Sequence, residues 1–324
     1  MAELAVENRC DGWRLDRFVR EALPGMPLSH IFKLFRTGKV RLDGRKAPAS
    51  ARIAAGQAVI IHVPDAKFKA DSTAEPKEKR GRAVPPFPLE IIFEDEEMVA
   101  INKPAGVPVH PGSGYASGSC IDRIVERFAA GRHPGDFMPA LVHRLDLDTS
   151  GVLIAAKTYR ALRALGKTFE MRRVKKTYLA LAAGALLPDS GTIDLPVKRL
   201  DGPDRPYKEP RGVTDFRVAA RAAQRDVKSR GWPAHVALVE ISILTGRTHQ
   251  IRSHLKSIGA PVVGDRLYGN PQVNEVARRE AGLDRQFLHA RRVELDHPTT
   301  GAPVIIEAPL PPDLERVFAS LRLA

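Results

Sequence analysis

The chain has 324 residues, of which 43% are hydrophobic and 27% are charged, and this composition excludes wholesale disorder. No apolar run approaches the roughly 20 residues that span a bilayer, and the N-terminus has no apolar signal-peptide core. Two cysteines, Cys10 and Cys120, are too few for a disulfide framework, a cysteine-rich zinc site or an iron–sulfur cluster. We therefore expect a cytoplasmic protein that has no membrane segment, no metal ion and no other cofactor.

The charge of the chain points to a class of partner. Fifty-one Lys and Arg against 38 Asp and Glu give a net charge of +13, and the pI is near 9.9. Such a surplus favours a polyanion, because each phosphate that a cation neutralises releases condensed counterions. A basic protein without a nucleic-acid partner remains the alternative on charge alone.

A polar segment of mixed charge divides the chain into a short part and a long part. Residues 65–87 show no apolar periodicity and contain two consecutive prolines, which is typical of a solvated linker. The sequence therefore predicts a small domain over residues 1–64, a linker over residues 65–87 and a large domain over residues 88–324.

The small domain is predicted to contain two helices followed by strands. Apolar residues from Leu15 to Leu23 recur at helical spacing, and a second helix begins near Ser29 and ends before Gly38. Strands are expected at residues 40–42 and 59–63, with a tight hairpin turn at the Asp-Gly pair that follows residue 42.

Basic side chains crowd these elements, and four of them are candidate RNA contacts: Arg17, Lys33, Arg36 and Arg41. A merely solvated surface would also account for them. However, the order of elements, with RLDRF at the start and GKVRLDG at the centre, resembles the S-four-type RNA-binding domain of ribosomal and tRNA-synthetase proteins. That resemblance covers about 50 residues and implies that the small domain binds RNA.

The large domain mixes short strands and helices without a regular strand–helix alternation. Strands are predicted at residues 89–93, 98–101, 152–156, 178–182 and 236–244, and helices at residues 159–169 and 250–258. The chain has 25 Gly and 26 Pro, so many turns are expected. This pattern predicts an α+β fold with a mixed, largely antiparallel sheet.

The segment HRLDLDTSG, residues 143–151, is the first candidate for chemistry. In an extended conformation Arg144, Asp146 and Asp148 project to one side. An arginine beside a carboxylate can keep a nucleophile or base ionised, although a structural ion pair uses the same residues. The Asp-x-Asp pattern also occurs where a divalent metal binds the phosphates of a nucleotide sugar.

A second candidate, TGRTHQIR, occupies residues 245–252 between a predicted strand and a predicted helix. Arg247 carries a rigid donor fork that can pair with a carboxylate or a phosphate, and Arg252 adds a second positive charge. We interpret His249 and His254 as surface or capping histidines.

A third candidate is Tyr178, which follows the basic pair Lys175 and Lys176 at the start of a predicted strand. A tyrosine in this position can stack on a nucleobase, although most strand tyrosines belong to a core or an interface.

Together these motifs resemble those of RluA-type pseudouridine synthases. HRLDLDTSG, GRTHQIRSH, NKPAG at residues 102–106 and FLHA at residues 287–290 follow the order of that family. GSGYASG and the HPTTGAPVIIEAP ending resemble the RluC-like branch, whereas HPG at residues 110–112 is closer to the RluD-like branch.

The resemblance implies an RNA isomerase that converts specific uridines of large-subunit (23S) ribosomal RNA to pseudouridine, as a monomer and without a cofactor. Asp146 matches the catalytic aspartate, and Arg144 matches the arginine that takes the place of the flipped uridine. Tyr178 matches the tyrosine that stacks on the target base. Arg247 matches the arginine that pairs with the aspartate, and Lys103 lies in a motif that lines the pocket and is expected to contact RNA.

The implied reaction cleaves the C1′–N1 bond, turns the uracil and joins C1′ to C5. Extruding a base from folded RNA costs a few kcal/mol, part of which Arg144 would offset. Attack of Asp146 on the uracil ring, attack on C1′ and abstraction of a ribose proton all remain open. A non-catalytic RNA-binding or ribosome-assembly protein built on this fold is the rival class.

Chelation distinguishes the isomerase from a metal-dependent glycosyltransferase that would use Asp146 and Asp148. We predict that EDTA leaves tritium release from ribosomal RNA containing 5-tritiated uridine unchanged, because the isomerisation needs no Lewis acid. Loss of activity on chelation, and its return with a divalent metal, would support the glycosyltransferase instead.

Overall fold

The computed structural model describes residues 2–23, 26, 28–62, 82–112, 114–131, 136–198, 200 and 210–321. The chain separates into two compact units, residues 1–79 and 80–324. This boundary falls inside the segment predicted as a linker, most of which lies outside the described residues, as does residue 63 of a predicted strand.

The described part of the first unit contains two α-helices, one short 3-10 helix and one small sheet. Its elements are β1 Ala2–Ala5, α1 Leu15–Ala22, α2 Leu28–Arg36, β2 Val40–Leu42, β3 Arg45–Lys46 and β4 Ala58–Ile61. The strands follow the order β1-β4-β2-β3, and all neighbours are antiparallel. The predicted helices are confirmed, and their apolar faces form one core with the sheet.

The predicted hairpin turn is also confirmed. Asp43 and Gly44 connect β2 to β3 with φ angles of 48° and 75°. Positive φ at both central residues is the backbone of a tight turn that matches the twist of the strands. The side chain of Asp43 also accepts a hydrogen bond from the backbone N–H of Ala58, at 2.8 Å.

The second unit is built around a large sheet. Its strands are β5 Arg82–Ala83, β6 Ile91–Glu94, β7 Met98–Lys103, β8 Tyr115–Ser117, β9 Ala140–Leu141, β10 Ser150–Ala156, β11 Lys175–Ala183, β12 Ser190–Pro196, β13 Arg211–Arg221, β14 Val236–Ile243, β15 Leu288–Asp296 and β16 Pro303–Glu307. Its helices are α3 Cys120–Phe128, α4 Tyr159–Glu170, α5 Gln224–Lys228, α6 Gln250–Ser257, α7 Pro271–Ala281 and α8 Pro312–Leu321.

The main sheet has ten strands in the order β12-β13-β14-β11-β15-β10-β7-β6, with β16 beside β15 and β9 beside β10. Its pairings are antiparallel except that of β10 with β15, which is parallel. The α+β fold with a mixed, largely antiparallel sheet is therefore confirmed. Because the two parallel strands start at the same edge, the segments that precede β10 and β15 lie side by side.

The central strand β10 is buried along its whole length, and this explains its uninterrupted apolar sequence. Leu153 contributes to a core that includes residues of α3 and α6, whereas Val152 and Ile154 contribute to another that includes residues of α4. Successive side chains of a strand point to opposite faces, so helices cover both sides of the sheet. Among the described residues, no helix combines the length and the apolar character that a membrane crossing requires.

Gly151 permits the close approach of β10 and β15. Its φ is 114°, and a Cβ atom there would lie 2.2 Å from the carbonyl oxygen of Ala290. No side chain larger than hydrogen fits, so glycine is required for this parallel pairing, directly after the HRLDLDTS segment.

Candidate active site

A cleft opens where the loop before β10 meets the turn between β14 and α6. Its lining includes Arg144, Asp146, Tyr178 and Arg247, which the sequence singles out in three separate motifs. The fold therefore brings these four side chains to one site.

Lys103 supports the loop that carries Asp146. The ammonium of Lys103 donates hydrogen bonds to the carbonyl oxygens of Pro104 at 2.9 Å, Leu147 at 2.8 Å and Thr149 at 2.8 Å. Burial lowers the pKa of Lys103 to about 8, and the residue is 0% exposed. The expectation that Lys103 lines the pocket and contacts RNA is therefore wrong, since a fully buried ammonium that binds three carbonyls supports the loop instead.

The same loop is tied to the segment before β15. Arg285 donates from Nη1 to the carbonyl oxygen of Asp148 at 3.1 Å, and Gln286 donates from Nε2 to Oγ1 of Thr149 at 2.7 Å. The backbone N–H of Thr149 also donates to the carbonyl oxygen of Asp146 at 3.2 Å. These contacts fix the backbone around Asp146 from two directions.

Arg252 forms the ion pair with Asp146 that the family resemblance assigns to Arg247. Nη1 of Arg252 lies 3.1 Å from Oδ2 of Asp146. Arg247 is exposed, and its side chain makes no ion pair with any residue in the described part of the chain. The expectation that Arg247 pairs with Asp146 is wrong, because Arg252, in the first turn of α6, takes that place and is held there by a second carboxylate, Asp265.

Asp265 binds the other two nitrogens of the Arg252 guanidinium. Its carboxylate accepts from Nε at 2.6 Å and from Nη2 at 2.9 Å, and its side chain is 0% exposed. Burial by itself would raise the pKa of Asp265, but the hydrogen bonds and charge of Arg252 and the N–H groups of Tyr268 and Leu267 outweigh burial and lower it. Arg252 is therefore a fixed cation shared by two carboxylates.

Tyr178 lies in β11 with only 7% of its surface exposed. The pairing of β11 with β15 is irregular between Thr177 and Tyr178, which is a β-bulge next to the cleft. Burial, and after it the negative charge of Asp146, raises the pKa of Tyr178. The phenol is therefore protonated at neutral pH, and its ring forms part of the apolar wall of the cleft.

The two histidines of the second motif differ from their sequence interpretation. His254 is 0% exposed, and its ring nitrogens lie 2.9 Å from Oγ1 of Thr214 and 3.1 Å from the carbonyl oxygen of Leu195, so it is neither a surface nor a capping residue. His249 does occupy the position before α6, with a φ of 58°, but it caps no N–H with its side chain. Its Nε2 lies 3.9 Å from Oδ2 of Asp146.

Sequence reasoning missed the roles of His249, Arg252 and Asp265. Residues three apart at the start of a helix share a face, so the spacing of His249 and Arg252 is a usable signal that both meet Asp146. No local pattern marks Asp265, which lies in a turn after α6 and is recognisable only from its contacts.

The four basic candidates of the first unit are on its surface. The side chains of Arg17, Lys33, Arg36 and Arg41 are all exposed. The guanidinium of Arg17 stacks on the ring of Trp13 at 3.8 Å. A guanidinium stacked on an aromatic ring keeps its N–H groups free to donate hydrogen bonds to a phosphate.

Comparison with known proteins identifies the family. A model of the family described as RNA pseudouridylate synthase matches residues 97–257. The chain is 35% identical to the ribosomal large subunit pseudouridine synthase C of Vibrio vulnificus, over 98% of this chain and 95% of that protein. It is 33% identical to the ribosomal large subunit pseudouridine synthase D of Xanthomonas campestris, over 99% and 93% of the two chains.

The solved structure of human RNA pseudouridylate synthase domain containing 4 has a TM-score of 0.57 and 25% identity, over 72% of this chain and 94% of that chain. The fold and the carboxylate in its cleft thus define an RNA-modifying isomerase. The chain belongs to the RNA pseudouridylate synthase family and is an RNA pseudouridine synthase. The resemblance to this family that the sequence motifs indicate is confirmed.

Two histidines, the fully buried His289 and the half-buried His143, make the stability of this unit depend on pH. Burial lowers the pKa of His289 to about 4 and that of His143 to about 3. Both titrate near pH 6.5 in an unfolded chain, so from there down to about pH 4 the unfolded state binds more protons and the free energy of unfolding falls with pH. We predict a loss of about 1–3 kcal/mol for each histidine, measured by urea unfolding across this interval.

The control for this prediction is His289→Gln. Neutral His289 accepts from Oγ of Ser150 at 3.0 Å through Nδ1 and donates through Nε2 to the carbonyl oxygen of Ala308 at 3.2 Å. Glutamine does not titrate, so the variant must lose less free energy of unfolding than the wild type as the pH falls. Equal losses for the two proteins would contradict the assignment.

Proposed function

We propose that this enzyme isomerises specific uridines of large-subunit (23S) ribosomal RNA. Two observations support the substrate: the similarity over nearly the whole chain to proteins named as large-subunit synthases, and a net charge of +13 that suits RNA. The observation that carries the chemistry is a carboxylate, Asp146, held in the cleft through one of its oxygens.

Asp146 is the group that acts on the flipped nucleotide. Arg252 occupies Oδ2, while Oδ1 makes no hydrogen bond to any described residue and is available to the substrate. Lys103 holds the backbone of the loop and Arg252 holds one carboxylate oxygen, and small misplacements of a reacting group cost large factors in rate. The C1′–N1 bond then breaks, the uracil turns, the C1′–C5 bond forms and the hydrogen on C5 leaves as a proton.

The other cleft residues hold the substrate. Tyr178 stacks on the target base with a protonated phenol, which adds no negative charge beside Asp146. Arg144 is exposed at the cleft and fills the place that the extruded uridine leaves in the RNA. Arg247, exposed on the opposite side of the cleft, contacts the RNA backbone instead of Asp146.

The substrate assignment is tested by mapping pseudouridines in ribosomal RNA from cells that lack this protein. Specific uridines of 23S RNA must lose the modification and regain it when the wild-type gene is restored. If the 23S map is unchanged and another RNA loses pseudouridine, the ribosomal assignment is wrong although the enzyme class stands.

The role of Asp146 is tested by Asp146→Asn. We predict that this variant binds RNA as the wild type does but releases tritium from 5-tritiated uridine at least about a thousandfold more slowly, since the amide cannot act as a carboxylate. Asp148→Asn is the matched control. It supports the loop through its backbone carbonyl, so the variant should keep activity within about tenfold. Similar losses in both variants would argue for a general effect of charge.

The small domain over residues 1–64 is proposed to supply phosphate contacts, with the linker 65–87 joining it to the catalytic domain 88–324. Exposure of Lys33 and Arg36 on α2 supports this, since residues three apart on a helix share a face. Phosphate contacts of this kind add affinity and register without reading bases.

We predict that Lys33→Gln combined with Arg36→Gln weakens RNA binding and flattens its salt dependence. Loss of two phosphate contacts reduces the slope of log K against log salt by about 1.4 to 1.8. Filter binding at several salt concentrations measures the slope, and thermal unfolding checks that the fold is intact. An unchanged slope would count against the proposed contacts.

A further inference from the structure

Two adjacent lysines at the start of β11 have opposite surroundings. Lys175 is exposed, and its Nζ lies 3.1 Å from Oε1 of Glu294 on the neighbouring strand. Successive strand residues point to opposite faces, so Lys176 shares the face of Tyr178, which lines the cleft. The two lysines are adjacent in the chain and carry the same charge, but their side chains have different surroundings.

The ammonium of Lys176 lies near both of the loops that border the cleft. Its Nζ is 3.6 Å from the point that a Cβ atom would occupy at Gly246, a residue of the cleft wall. Nζ also lies 5.9 Å from the ring of Phe169, on which the ring of His143 stacks at 5.2 Å. The charge of Lys176 adds to burial in lowering the pKa of His143, which directly precedes Arg144. Both motif loops thus approach this one ammonium.

Lys176 has no counterion among the residues that the structure describes. In the part of the chain that the structure describes, it makes no ion pair and no hydrogen bond, and the ring of Phe169, 5.9 Å from Nζ, is its aromatic contact. Lys176 is half-buried, and burial lowers its pKa. An ammonium that is partly removed from water without a partner costs free energy, so an anion that binds there gains more than it would at an exposed lysine.

The surroundings determine the kind of anion. Arg144 and Arg247 add two exposed cations at the cleft, and the negative charge of Asp146 is already shared with Arg252. RNA carries its negative charge on the phosphates of its backbone. When a nucleotide turns about its backbone to place its base in a pocket, the adjoining phosphates stay outside the pocket. Lys176 precedes Tyr178 by two residues, about 7 Å along the strand, and so lies beside the position proposed for the base.

We propose that Lys176 binds a phosphate group adjoining the target uridine, and that it is a positioning residue which fixes the RNA backbone while the base lies in the cleft. The inference rests on the proposed function insofar as the substrate is an RNA whose uridine is flipped. It assigns the anion to the backbone of the modified nucleotide, whereas the phosphates proposed for the first unit are elsewhere on the RNA.

The test compares Lys176→Met with the matched variant Lys175→Met in the full-length enzyme. Both remove one positive charge at neighbouring positions, so a general loss of attraction for RNA affects them equally. We expect Lys176→Met to lower kcat/KM for tritium release by about 10- to 100-fold, as for the loss of a hydrogen bond to a charged group. We expect Lys175→Met to stay within about twofold of the wild type, because an exposed ion pair contributes little.

A second arm changes the RNA instead of the protein. Synthetic RNAs carry a 5-tritiated target uridine, and an uncharged methylphosphonate replaces the phosphate on its 5′ side or on its 3′ side. The wild type should lose a similar 10- to 100-fold factor at one of these two linkages. Lys176→Met should be insensitive to that same replacement, because the contact is already gone. Lys176→Arg should recover part of the activity and of the sensitivity.

Several results would overturn the inference. These are equal losses in the two lysine variants, full sensitivity of Lys176→Met to both neutral linkages, or a wild type that tolerates both linkages. The last result decides the question even if Lys176→Met fails to fold. The target sequence is the one found by pseudouridine mapping, so a wrong ribosomal assignment changes the RNA used and leaves the comparison valid.

Discussion

The catalytic cleft depends on one arginine that is shared between two carboxylates. Asp265 binds two nitrogens of Arg252, and the third nitrogen is left for Asp146, which is 106 positions away in the chain. A buried guanidinium is tolerable only with such compensation, and removing either carboxylate would leave charge without a partner. Arg252 therefore ties the turn after α6 to the loop before β10, and it sets the position of the reacting carboxylate.

The cations of this site have different roles, and the role of each depends on its burial. Lys103 and Arg285 bind backbone carbonyls of the loop and hold its shape, and Arg252 binds carboxylates. Arg144 and Arg247 remain exposed at the cleft, where a phosphate or an unpaired base of RNA can reach them. Because Lys103, Arg285 and Arg252 already have partners within the protein, RNA can be recognised by other cations without disturbing the position of Asp146. The parallel pairing of β10 with β15, made possible by Gly151, brings the segments that carry these groups together.

Much of the fold could be predicted from local patterns in the sequence. Helical spacing located α1, the uninterrupted apolar run located β10, and the Asp43-Gly44 pair located a hairpin turn. Strands such as β12, β13, β15 and β16 were not predicted, because their residues alternate weakly and their stability comes from neighbours distant in the chain. The strand β1 was missed for the same reason, since it is defined by its pairing with β4.

The sequence by itself determined the family, the class of fold and the motifs that hold Arg144, Asp146 and Tyr178. Motifs and periodicities involve residues that are close together in the chain, so they can be recognised without the structure. Only the tertiary structure decided which arginine meets Asp146, and that Lys103 and His254 are buried. These facts depend on the direction of side chains and on the exclusion of water at contacts between distant segments. The free energy of a buried charge is set by the groups that surround it in space, and residues adjacent in sequence supply only some of those groups.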